Sequence, residues 1–249
     1  TTDASIDTTG QRNLTISGEL DAATGDFSGD VDIDGTLETD AITLGGASFI
    51  KVEGTDFTGS LLVGHSTTGT LDAAQYNTGV GLTALDALTT GDNNTTLGYG
   101  AGSAITTASS CVFIGSGAGD AITGASDNVA VGANALSGTG TASSSAYNVA
   151  VGKDAMNVSN GARFNVAIGK DAGRTITAGD YNIVIGAEAA ENLTSGQGNV
   201  IIGANVDVSS ATGDRELIIH GNSGDDQTTW IQGDSSGNIT MPAELAAVS

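Results

Sequence analysis

Short aliphatic triplets punctuate the chain at a nearly constant interval. The runs "NVAVG" at 148–152, "NVAIG" at 165–169, "NIVIG" at 182–186 and "NVIIG" at 199–203 each end on glycine, and a longer tract of small and polar residues follows each one. Aligning on that glycine extends the frame to Gly64, Gly81, Gly98, Gly115, Gly132, Gly152, Gly169, Gly186, Gly203 and His220. Eight of the nine intervals are 17 residues and one is 20; the longer one holds "SGTGTASSSAY" and reads as a three-residue loop insertion. A fixed period of this kind marks one supersecondary unit stacked on copies of itself.

Each position in the unit has a physical reading. All ten units carry Val, Leu or Ile just before the frame residue, and seven carry Asn four positions before it: Asn77, Asn94, Asn128, Asn148, Asn165, Asn182 and Asn199. The segment Asn-x-x-Ile-Gly predicts a strand of four or five residues running into a corner, where glycine permits positive φ or close approach of the next coil. Ala three residues after the corner, in seven units from Ala84 to Ala189, suits a narrow interior. Turns such as "TTGDN" and "TAGDYN" close the coil. Asn repeating at one position predicts a stacked amide ladder. The expected fold is all-β, a parallel β-roll or β-helix solenoid of about ten 17-residue coils. At roughly 4.8 Å per strand it would rise about 45–50 Å.

The triplets are often apolar throughout, as in "NIVIG" and "ELIIH". Alternate side chains of a strand face opposite ways, so such a strand hides both faces. One face fills the coil and the other needs a second surface. A homotrimer about the long axis, forming an elongated fibre, supplies it most simply, with a dimer as the alternative.

Composition narrows the function. The 249 residues include 38 Gly, one Pro and few aromatics, and 29 acids against seven Lys and Arg give a net charge of −22. Phosphate backbones repel such a chain, which argues against nucleic acid as a partner. Neither a Gly-Gly-x-Gly-x-Asp repeat nor an EF-hand loop points to calcium. No run of about 18 apolar residues predicts membrane insertion. The N-terminus lacks a signal-peptide pattern.

Candidate chemistry is sparse. "GYGAG" at 98–102 and "GSGAG" at 115–119 imitate nucleotide loops but sit on the repeated corner. Lys153 and Lys170 follow the corner at a position that varies between units and should face outward; with Arg163 and Arg174 they form the candidate receptor-binding group. Pairing with the adjacent Asp154 and Asp171 is the other reading of these lysines. Cys111 takes the place of a ladder Asn, with the bulky Phe113 nearby. His220 takes the place of the last corner glycine, and three copies in a trimer could in principle surround a metal. Its corner position argues against that, so no metal and no cofactor is expected. The acids fall mainly in turns, and only His65 and His220 could join a Ser-His-Asp grouping, so no catalytic residue is assigned and no enzyme is expected.

The "N-x-A-[VI]-G-x-x-A" units resemble the head repeats of trimeric autotransporter adhesins, whose fold is a left-handed parallel β-roll. They resemble still more the repeats of tail fibres from marine bacteriophages, especially those of cyanobacteria; "NTGVGLTALDALTTGDNN" at 77–94 matches that form closely. "SGELDAATGDFSGDVDIDGTLETDAITLGG" at 17–46 is similar to the acidic shaft segments of phage fibres, and "WIQGDSSGNITMP" at 230–242 to a segment near their ends. The resemblance implies a virion fibre protein, tail rather than head, that contributes to host attachment. It would have an acidic shaft-like region (1–57), a ten-rung β-roll (58–224) and a C-terminal cap or continuation (225–249). Its implied partners are further copies of itself, other tail or capsid proteins, and a glycan or protein of the host surface. The alternatives are the head of a bacterial trimeric surface adhesin, which would be extracellular, and a virion head fibre or decoration protein without receptor contact.

Overall fold

The computed structural model describes residues 42–44, 47–52, 60–63, 71–138, 144–222 and 227–241. All of these belong to one compact unit, Asp40–Ser249. The acidic shaft expected over residues 1–57 lies outside the described residues except for its last two strands.

Fourteen described strands form a single sheet in chain order. The first two are β1 (Ile42–Leu44) and β2 (Ala47–Val52). Ten parallel strands follow: β3 (Leu61–Val63), β4 (Thr78–Val80), β5 (Thr95–Leu97), β6 (Val112–Ile114), β7 (Val129–Val131), β8 (Val149–Val151), β9 (Val166–Ile168), β10 (Ile183–Ile185), β11 (Val200–Ile202) and β12 (Leu217–Asn222). Each pairs in register with the same three positions of the next, including β7 with β8 across the 20-residue interval. The expected parallel solenoid is therefore the fold. At both ends the pairing turns antiparallel: β1 with β2, β2 with β3, β12 with β13 (Gln227–Gly233), and β13 with β14 (Ile239–Thr240).

The strands of the inner coils are three residues long, shorter than the four or five expected. The backbone explains the difference. The residue before the Asn column is left-handed in every described coil, with φ between 55° and 69°, and the corner glycines lie between 131° and 144°. Extended geometry is confined between those two bends.

The corner requires glycine for two reasons at once. A Cβ on Gly186 would stand 1.9 Å from the carbonyl oxygen of Gly203 in the next coil, and a φ of 141° is strained for any L side chain. The chain keeps other left-handed bends without glycine, at Asp171 and Tyr181 among others. Their N–H groups donate to the preceding coil, Asp171 to the Lys153 carbonyl (2.8 Å) and Tyr181 to the Arg163 carbonyl (3.0 Å), which offsets the strain.

Inside the coil, the middle residue of each triplet in β3–β12 and the Ala three after the corner are buried. Size is balanced within several coils. At Gly79, Ala130 and Ala150 the strand centre is small, and the residue four past the corner is Leu85, Leu136 or Met156. The Ala167 coil differs, with Gly173 at that position and Ile176 close beside it. Where the centre is Phe113, that residue is Gly119, and a Cβ there would meet the Phe113 ring at 2.4 Å. This exchange of volume is how the coil accommodates Phe113.

Candidate functional site

The Asn column is a buried amide ladder, as expected. Asn182 donates from Nδ2 to Asn165 Oδ1 (3.0 Å) and to the Gly196 carbonyl (2.9 Å), and its Oδ1 accepts from Asn199 Nδ2 (2.9 Å) and the Asn199 N–H (3.0 Å). Cys111 breaks the column. Its N–H still reaches Asn94 Oδ1 (3.0 Å), while its Sγ lies 3.6 Å from the Ala125 carbonyl, which accepts from Asn128 Nδ2 (3.1 Å). Burial pushes the Cys111 thiol up to about 11, which keeps it protonated and unreactive at neutral pH. Ser60 Oγ accepts the Asn77 N–H (2.7 Å) at one end of the ladder. Glu216 closes the other, donating its N–H to Asn199 Oδ1 (2.8 Å) while its carboxylate accepts from the Ser209 N–H (2.9 Å).

Three features of the surface could carry function. The first is the outer face of the parallel strands. The flanking residues of each triplet point away from the coil, and eighteen of these twenty positions in β3–β12 are Val, Leu or Ile, the others being Thr78 and Thr95. Several are well exposed on the single chain, Leu97 by 49% and Ile183 by 40%. The result is a two-column aliphatic band along the solenoid.

The second is the basic group. Lys153 and Lys170 stand on successive coils and point outward, as expected. Lys153 pairs with Asp154; Lys170 pairs with Asp171 and with Glu188 (2.8 Å). Arg174 joins Asp171 from three residues on (3.8 Å). Arg163 is not part of this cluster. It lies at the other end of the strand, near Asp180 (3.9 Å). The hydrogen bond from Lys153 holds the Asp154 carboxyl below its usual range, and the hydrogen bonds that Lys170 donates to Asp171 and Glu188 raise its ammonium above its own. All four candidates thus sit beside carboxylates, and such exposed pairs contribute little to stability.

The third feature was missed in the sequence. Tyr147, Phe164 and Tyr181 occupy the left-handed position before Asn148, Asn165 and Asn182 in three consecutive coils. Their rings stack face to face, with centroids 4.8 and 5.0 Å apart and planes within 2°. They remain exposed by 51, 42 and 60% respectively. The 17-residue spacing of three aromatics just ahead of the Asn column was the available signal.

At the C-terminal end, His220 lies within β12, which continues for six residues instead of turning, with a register shift against β13 between Ile219 and His220. Its Nδ1 is 3.2 Å from Thr229 Oγ1, and its buried Nε2 has no partner. Among the described residues of one chain, no group of three or more His, Cys, Asp or Glu is placed to hold a metal. Among the same residues no helix is long and apolar enough to cross a membrane.

The architecture defines a parallel β-solenoid with one aliphatic outer face. Compared with protein-family models, curated proteins and solved structures, the chain finds no match.

Proposed function

We propose that the protein is a structural fibre component of a bacteriophage virion, a tail fibre that contributes to host attachment, assembled as a homotrimer about the solenoid axis. The observation that carries this reading is the aliphatic band. Eighteen exposed or half-exposed aliphatic positions along ten strands form a patch of the kind that marks an interaction surface. Three copies turning this face to a common axis would bury it along the whole roll and give a stiff rod. The repeat's resemblance to marine phage tail fibres supports the virion setting. No catalytic role, cofactor or nucleic-acid partner is assigned.

Sedimentation equilibrium of the full chain tests the assembly, with three times the 24.4 kDa chain mass expected. Ile168→Asp combined with Ile185→Asp should break the trimer, and a monomeric wild-type protein would overturn the reading. Gold-labelled antibody on virions should mark the tail. Label on the head would favour a head fibre or decoration protein, and label on a bacterial envelope without virions would favour a surface adhesin.

A further inference from the structure

The aromatic stack ends at an unfilled position. Beyond Tyr181, the next coil carries Gly198 at the same left-handed position (φ 69°), and the coil after that carries Arg215. Two coil steps, about 10 Å of backbone rise, separate the Arg215 position from that of Tyr181. The layer between them carries no side chain of its own, so the three-ring stack stops there. The vacancy is an open groove of ≈ 250 Å³ lined by Tyr181, Gln197, Gly198, Asp214 and Arg215. That is below the roughly 300–1,000 Å³ of sites for drug-sized ligands and suits a single ring.

Its lining is unlike the other charged surfaces. Arg215 is the one cation among the described side chains with no carboxylate within ion-pairing distance. Its stem leans into the groove, with Cγ 3.4 Å from where a Gly198 Cβ would stand. One carboxylate oxygen of Asp214 accepts the Gln197 N–H (2.8 Å), which fixes the Asp214 side chain at the rim. The Gln197 side-chain amide is exposed and has no protein partner among the described residues.

We infer that this groove binds one hexopyranose ring of a carbohydrate. The ring's C–H face would lie on Tyr181, and its hydroxyls would meet Arg215, Asp214 and Gln197. A flat aromatic ligand would leave the carboxylate and the amide unanswered. A small anion would leave the Tyr181 face unused and would meet the field of a chain carrying −22. A pyranose supplies an apolar face together with hydroxyls that both donate and accept, matching every group present. The inference deepens the attachment reading and rests on it only for the origin of the sugar.

The full-length protein can be titrated with methyl glycosides of glucose, galactose, mannose and N-acetylglucosamine, using saturation-transfer NMR. At least one should bind, with transfer strongest at the C–H protons of one ring face. Gly198→Tyr extends the stack into the groove at a backbone conformation that Tyr181 already adopts, so the coil should stay folded. It should weaken binding by about tenfold or more, as should Tyr181→Ala, given the worth of one aromatic contact. Leu82→Ala, at an exposed position on a distant coil, should leave binding unchanged. The inference fails if no glycoside binds, if Gly198→Tyr binds as well as wild type, or if that variant alters the sedimenting mass, which would make the groove a contact between copies. Cell attachment that is equal for wild type and Gly198→Tyr would sink the groove as the receptor site and leave the attachment reading intact. Glycoside binding without cell attachment would do the reverse.

Discussion

The Asn182 side chain donates from Nδ2 to Oδ1 of Asn165 at 3.0 Å, with both residues buried. Four side-chain hydrogen bonds meet at Asn182, two donated and two accepted. Asn182→Ala should leave the Gly196 carbonyl and the Asn199 N–H buried without partners. A loss of about 3–5 kcal/mol is expected, readable by urea denaturation. A loss below about 1 kcal/mol would mean that the ladder's groups find other partners.

The corner should be the least tolerant glycine position. In Gly186→Ala the new Cβ would overlap the Gly203 carbonyl of the next coil, and neither backbone can move without breaking the coil register. Overpacking and positive φ together should cost about 3 kcal/mol or more. Gly100 has φ 67° and nothing closer than Thr83 Oγ1 at 3.8 Å. Gly100→Asn, the residue found at the equivalent Asn134, should change stability by no more than about 1 kcal/mol.

Phe113 and Gly119 should be strongly coupled. Phe113→Ala alone should cost about 3–5 kcal/mol as a core cavity. Gly119→Leu alone forces a side chain into the Phe113 ring. The double variant reproduces the Ala130–Leu136 arrangement of the following coil and should recover much of the loss, with a coupling of about 2–3 kcal/mol in a double-mutant cycle.

Two aspartates should respond to acid in opposite directions. Burial raises the Asp120 carboxyl above its ordinary value. Its contribution is full below the unfolded-state pKa and is lost as pH rises through the folded one. Asp120→Asn should therefore raise the melting temperature at pH 7 and have no such effect near pH 3. The Asp154 carboxyl is lowered, first by the Lys153 hydrogen bond. Its contribution is present above the unfolded-state pKa and fades as pH falls, so Asp154→Asn should lower the melting temperature at pH 7 only. A gain from Asp120→Asn that persisted at pH 3 would show an effect other than ionisation.

Much of this architecture is legible in the chain because a stacked coil imposes the same demands on every copy. Asn at 165, 182 and 199, Gly at 169, 186 and 203, and Ala at 172 and 189 recur because the ladder, the corner and the narrow interior each admit few residue types. The groove was not legible. Gly198 and Arg215 look like ordinary turn residues until the coils place them in one column with Tyr181. Arg163 and Lys170, seven residues apart, look like neighbours but lie at opposite ends of a strand.

The sequence alone determined the period and the all-β parallel solenoid, since these follow from repetition and from β-branched triplets along an extended chain. Only the tertiary structure decided the length of each strand, the volume exchange between Phe113 and Gly119, and the vacancy beside Tyr181. Those depend on which residues stand one coil apart, at contact distances of a few ångströms. Stacking sets that relationship, and reading along the chain does not display it.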